Sequence, residues 1–83
     1  MAEHSDEMRT LIHEIAKVLV DAPDQVSVTA VDDEEGTVLE LRVAETDLGK
    51  VIGKQGRTAR SLRTILGAAS MKFHERYSLE IVE

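Results

Sequence analysis

Val51-Ile52-Gly53-Lys54-Gln55-Gly56-Arg57-Thr58-Ala59-Arg60-Ser61-Leu62-Arg63 decides how the whole chain is read. Two glycines stand three apart with a lysine and a glutamine between them, after an apolar pair. Glycine has no Cβ, so it opens backbone angles closed to other residues and lets another backbone come close. From Arg57 onward Ala59, Leu62, Ile65, Leu66, Ala69 and Phe73 recur at helical spacing. The glycine loop therefore opens a helix, whose N-terminal amides and dipole favour phosphate. Lys54 and Arg57 flank that point with mobile cations. The stretch reads as a clamp for a nucleic-acid backbone. The bare tetrapeptide is equally consistent with an elbow between two helices, its glycines serving only the turn.

Competing phosphate loops fit less well. Gly53-Lys54 is followed by Gln55 and lacks the Ser/Thr and upstream glycine of a P-loop, and no G-x-G-x-x-G is present.

Working outward, 83 residues suffice for one modest core and no second one. The chain has no cysteine, which excludes disulfides and thiolate metal sites and suits a reducing cytosol. No apolar run approaches the roughly 20 residues of a membrane span, and no signal pattern opens the chain. A soluble, cytoplasmic protein is expected.

Net charge is −6, which at first sight disfavours nucleic acid. Its distribution does not. Residues 1–47 carry thirteen acids against three bases, whereas residues 48–76 carry seven bases against Glu75 alone. At physiological salt, charges more than ~8 Å apart are largely screened, so a local basic face can act beside an acidic one.

Upstream, Ser5 is the expected N-cap of a helix over residues 6–20, with Asp6 and Glu7 in its first turn. Its apolar stripe is Met8, Leu11, Ile12, Ile15, Ala16 and Leu19, and Pro23 stops it. Residues 1–5 are expected to be flexible. His4 and His13 have no ligand partner at metal spacing and read as surface residues. Gln25 to Val31 and Thr37 to Val43 alternate apolar and polar and form a hairpin. Its turn, Asp32-Asp33-Glu34-Glu35-Gly36, lacks the ligand spacing of a calcium loop. A short helix runs from Glu45 or Thr46 to Val51, and the long one from Arg57 to about His74. Gly67 inside it implies close packing against the first helix. Tyr77 to Val82 is a third strand. The fold class is α+β, in the order α-β-β-α-α-β, with helices on one face of a three-stranded sheet.

That order and the run Gly49-Lys50-Val51-Ile52-Gly53-Lys54-Gln55-Gly56-Arg57-Thr58-Ala59-Arg60 resemble the KhpA family of small bacterial single-KH-domain proteins. Leu11-Ile12-His13-Glu14-Ile15-Ala16-Lys17 through Asp24 resembles the family's opening helix and turn, so the likeness spans nearly all of residues 1–83. It implies a type II KH domain that holds single-stranded RNA. Gly53, Lys54, Gln55, Gly56 and Arg57 would fix the backbone with Lys50 and Arg60, and Val51 and Ile52 would border an aliphatic groove. Both apolar residues read equally well as core. The chain departs from many KH domains in having Ala59 where isoleucine stands. The resemblance further implies a homodimer, or a pair with a Jag-type KH protein (KhpB), in post-transcriptional control of growth and division. Leu62 is the candidate dimer contact, its alternative being the monomer core.

Only Phe73 and Tyr77 are aromatic, too few for the stacking platform of RRM or OB modules. A KH domain needs none, because it clamps about four nucleotides by their backbone. No catalytic triad or dyad, H-E-x-x-H or tuned carboxylate pair is present, so no enzyme, metal, cofactor or small-molecule substrate is expected. The alternative function is an assembly module that uses the KH fold for dimerisation with little RNA binding.

Overall fold

The computed structural model describes residues 2–83. Its elements are α1 (Ser5–Leu19), β1 (Ser27–Asp33), β2 (Gly36–Arg42), α2 (Leu48–Ile52), α3 (Arg57–Phe73) and β3 (Tyr77–Ile81). Single 3-10 turns lie at Pro23–Gln25, Glu45–Asp47 and Lys54–Gly56. The order α-β-β-α-α-β and the α+β class are those expected.

The sheet runs β1-β2-β3, with β1 antiparallel and β3 parallel to the central β2. Register places Val28, Ala30, Leu39, Leu41, Tyr77 and Leu79 on one face, where they join Met8, Ile12 and Ala16 of α1 and Leu62 and Leu66 of α3. Ser27, Thr29, Ser78 and Glu80 look away to solvent. All three helices therefore cover one face, because one strand parity is apolar and the other is polar apart from the Val31–Val38 pair. The parallel β2–β3 pair requires a crossover, and α2, the glycine loop and α3 supply it.

Strand β1 starts two residues later than the alternation suggests and runs on through Asp32 and Asp33. Two carboxylates make this possible. Asp32 accepts the Thr37 hydroxyl at 2.8 Å, and Asp33 accepts the Glu35 N–H at 2.8 Å, which tightens the turn to Glu34-Glu35.

The acidic half has a further structural task. Asp47 is 1% exposed and accepts the N–H groups of Asp21 (3.2 Å) and Ala22 (3.0 Å), tying the end of α1 to the start of α2. Burial pushes its carboxyl up, but those two amides and Lys50 outweigh it and hold it below the ordinary value.

Four expectations are corrected. Residues 2–5 are not loose: Ala2 packs on the core, and the Glu3 and His4 N–H groups donate to the Glu75 carboxylate at 2.8 and 3.2 Å. Met1 lies outside the described residues. Ser5 is the first residue of α1 rather than its cap, and it is buried. Leu62 is 3% exposed and belongs to the core, so its side chain is not a surface contact. Gly67 has open space where a Cβ would go and lies on the solvent side of α3, away from α1.

His4 also departs from a plain surface residue. Its ring stacks on Phe73 at 3.8 Å, and its Nδ1 lies 3.2 Å from Glu75. Glu3, His4 and Glu75 thus meet with metal-binding atoms within 4.8 Å, a grouping hidden in the sequence by a separation of 71 residues. Both Glu75 oxygens are already accepting hydrogen bonds, and the Tyr77 hydroxyl donates to one of them.

Two predictions follow from this packing. The Tyr77 hydroxyl, then the Glu3 and His4 amides, hold Glu75 down to about 2 against the opposing effect of burial. A carboxylate depressed in the fold stabilises it above the unfolded value of about 4.3, and that stability is lost as pH falls toward the folded value. Thermal unfolding from about pH 7 to pH 2 should show Glu75→Gln less stable at pH 7, with the difference closing as pH nears 2. Gly67→Ala should raise stability to urea by about 1 kcal/mol, since alanine is the better helix former at an open site.

Candidate nucleic-acid interface

The loop between α2 and α3 is built from backbone that side chains rarely adopt. Gly53 has φ 78°, Gln55 φ 58° and Gly56 φ 73°. The two glycines have different reasons. A Cβ on Gly53 would lie 2.7 Å from both the Cβ and the N of Thr58, so α3 starts against bare backbone there. Gly56 has open space around it, and only its left-handed φ demands glycine. Gln55 takes the left-handed region without being glycine, a strain of roughly 1–2 kcal/mol that neighbours must offset.

Arginines of α3 supply the offset. Arg60 donates to the Gln55 carbonyl at 2.7 Å, and Arg57 donates to the Gln55 side-chain oxygen at 3.3 Å. Both guanidinium groups therefore lie over the loop and fasten it. Lys54 is exposed and makes no ion pair among the described residues. The result is a tight turn at the N-terminus of a 17-residue helix, with three cations at its rim and the positive end of the helix dipole behind it. Arg57, Arg60, Ser61 and Thr64 continue it as an open concavity of about 340 Å³.

The remaining sequence candidates divide. Val51 is fully buried and serves the core. Ile52 is half-buried, outside the core cluster, and remains available at the loop's edge. Ala59 is buried beneath the start of α3. Lys50 is exposed and paired: its Nζ lies 3.3 Å from Asp21 and 3.6 Å from Asp47. Asp21, then Asp47, raise its pKa and leave it charged but neutralised at the α1–α2 junction.

Two residues escaped the sequence reading. Thr58 is the wedge that makes Gly53 obligatory. Arg63 reaches the sheet and donates to the Leu79 carbonyl at 3.3 Å. With Leu66, Tyr77, Ser78 and Leu79 it lines a cleft of about 180 Å³ between α3 and the edge strand β3. Its i+3 spacing from Arg60 was visible, but the strand it meets was not.

A family model described as KhpA/KhpB, KH domain, matches residues 9–81. The chain belongs to the KhpA/KhpB KH-domain family. This family is not enzymatic, and neither is the chain. Its relatives named RNA-binding protein KhpA include one from Borreliella burgdorferi, 46% identical over the whole of both chains. Another, from Clostridium acetobutylicum, is 51% identical over 90% of this chain and 100% of its own. One from Aquifex aeolicus is 51% identical over 92% of this chain and 96% of its own.

The two glycines of this KH loop should respond differently to alanine. Gly53→Ala forces α3 away from the elbow and should cost clearly more stability in urea than Gly56→Ala. The latter meets backbone strain alone, about 1–2 kcal/mol. Equal losses would mean that Thr58 does not set the elbow.

Proposed function

We propose that this chain binds single-stranded RNA, with the Gly53–Gly56 loop gripping the sugar–phosphate backbone and the α3–β3 cleft receiving bases. The observation that carries the reading is the loop itself. Three positive-φ residues stand at the N-terminus of α3, Gln55 among them accepting from Arg57 and Arg60, with Lys54 exposed beside them. Backbone donors and cations at such a point favour phosphate in any sequence context, whereas bases must be accommodated elsewhere. The half-buried Ile52 borders the same path. Lys50, exposed and paired with Asp21 and Asp47, adds positive charge on the α2 side of the loop.

In this reading the domain works in the cytoplasm, in post-transcriptional control of growth and division. It acts as a homodimer or beside a KhpB-type KH protein. The pairing with a KhpB-type protein draws support from a family model that spans KhpA and KhpB, and the rest of this part from the family resemblance alone. No helix among the described residues is long and apolar enough to cross a membrane.

The test replaces Lys54 and Gln55 together by aspartate. Neither side chain enters the core, aspartate at 55 keeps an acceptor for Arg57, and exposed substitutions of this kind usually alter stability by under ~0.5 kcal/mol. Two negative charges then stand where a phosphate would sit. RNA affinity should collapse while the melting temperature stays nearly unchanged. For the parent chain, two or three phosphate contacts predict a slope of log affinity against log salt of about −1.4 to −2. A folded double variant that still binds RNA as well as the parent would reduce the loop to an elbow and favour the assembly-module function.

A further inference from the structure

The first turns of α3 present an uneven set of side chains to solvent. Arg57, Ser61, Thr64 and Ala68 follow one another at spacings of four, three and four, in one line facing away from the buried Leu62 and Leu66. All four are exposed. Arg60 and Arg63 step sideways from that line toward β3, where Arg63 donates to the Leu79 carbonyl at 3.3 Å. The three arginines thus form a slanting row that joins the outer face of the helix to the α3–β3 cleft.

Their charge is not cancelled. None of the three makes an ion pair among the described residues. Arg57 and Arg60 each donate to Gln55, an uncharged partner, and a guanidinium has five N–H donors, so most remain free. Beside them the Ser61 hydroxyl has no partner among the described residues, and the Thr64 hydroxyl donates to the Arg60 carbonyl at 3.0 Å. Arg57, Arg60, Ser61 and Thr64 line the open hollow of about 340 Å³. Its lining holds no acid and no large apolar side chain. A protein partner anchors on aromatic or other large contacts that this surface lacks, whereas a polyanion needs only the cations and donors. The hollow begins at Arg57, at the foot of the glycine loop, and reaches Thr64 about 10 Å farther along the helix.

We propose that this outer face of α3 carries phosphates of nucleotides that flank those held at the glycine loop, so that the preferred ligand is an unpaired strand longer than the loop and cleft alone can hold. The occupant is the continuation of the same RNA strand, because the hollow is continuous with the loop through Arg57 and matches a phosphate chain in charge. The inference rests on the reading that the loop grips RNA, and it lengthens the ligand beyond the roughly four nucleotides of a KH groove.

The experiment compares the parent chain with Thr64→Lys and with a control, Thr29→Lys, which puts the same charge on the solvent face of β1. Each is titrated at several salt concentrations with a four-nucleotide RNA and with strands lengthened by three nucleotides at the 5′ or the 3′ end. A longer strand gains affinity merely by offering more registers, but that gain leaves the salt slope unchanged. One further phosphate contact steepens the slope by about 0.7. The parent should show this steepening with at least one lengthened strand. Amide signals of residues 61–65 should move with that strand and stay in place with the short one. Thr64→Lys should raise affinity for the same strand about fourfold at physiological salt, the effect of one further contact. It should leave the four-nucleotide affinity and the melting temperature nearly unchanged, and Thr29→Lys should alter neither affinity. Equal slopes for short and long strands overturn the extension while the loop reading stands. So does a Thr64→Lys gain that the short strand shares or that Thr29→Lys matches. Undiminished binding of either strand after Lys54 and Gln55 are both replaced by aspartate overturns the loop reading, and this extension with it.

Discussion

The architecture turns on the contact between the Gly53 backbone and Thr58. Because no Cβ fits between them, α3 begins hard against the end of α2. The short α2 and the long α3 can then share one sheet face while the chain crosses from β2 to the parallel β3. The same contact leaves Lys54 and Gln55 at the apex with no place in the core. Function and fold thus draw on one constraint. The tight elbow needed for the crossover also aims the N-terminus of α3 and its cations outward.

Around that elbow the charges divide by task. Asp47 of the acidic half and Glu75, the lone acid of the basic stretch, hold backbone amides across long sequence separations and act as fasteners. In the basic half, Arg57 and Arg60 donate to Gln55 of the loop, while Lys54 stays exposed with no ion pair among the described residues. Net charge therefore describes this molecule poorly. A chain at −6 presents a cationic loop, because its carboxylates are spent on turns, helix ends and the N-terminal segment.

Much of the fold was legible because its signals are local. Alternation marked three strands, 3.6-residue periodicity marked α1 and α3, and the glycine pair marked the loop. What failed depended on partners distant in sequence. The tie of Glu3 and His4 to Glu75 spans more than seventy residues, so the N-terminal segment looked loose. The ion pairs of Lys50 with Asp21 and Asp47 were equally hidden, because Asp21 lies 29 residues away. Ile65 shares the helical periodicity of Leu62 and Leu66, yet it is 42% exposed, because α3 is covered on one side only. Leu62, offered as a contact, lies on the covered side. Gly67 suggested a close approach that does not exist, since glycine also occurs where nothing requires it. Within the site, periodicity placed Arg57 and Arg60 beside the loop, but it could not show that Gln55 is what they hold.

The central claim is that RNA is gripped at the Gly53–Gly56 loop. It is tested most directly by titrating the isotope-labelled chain with a short single-stranded RNA and following the backbone amide signals. The largest shifts should fall at residues 53–58, followed by the α3–β3 cleft around Arg63, Ser78 and Leu79. Signals of α1 and β1 should stay in place. Saturable shifts confined to α1 and β1, with residues 53–58 unmoved, would contradict it.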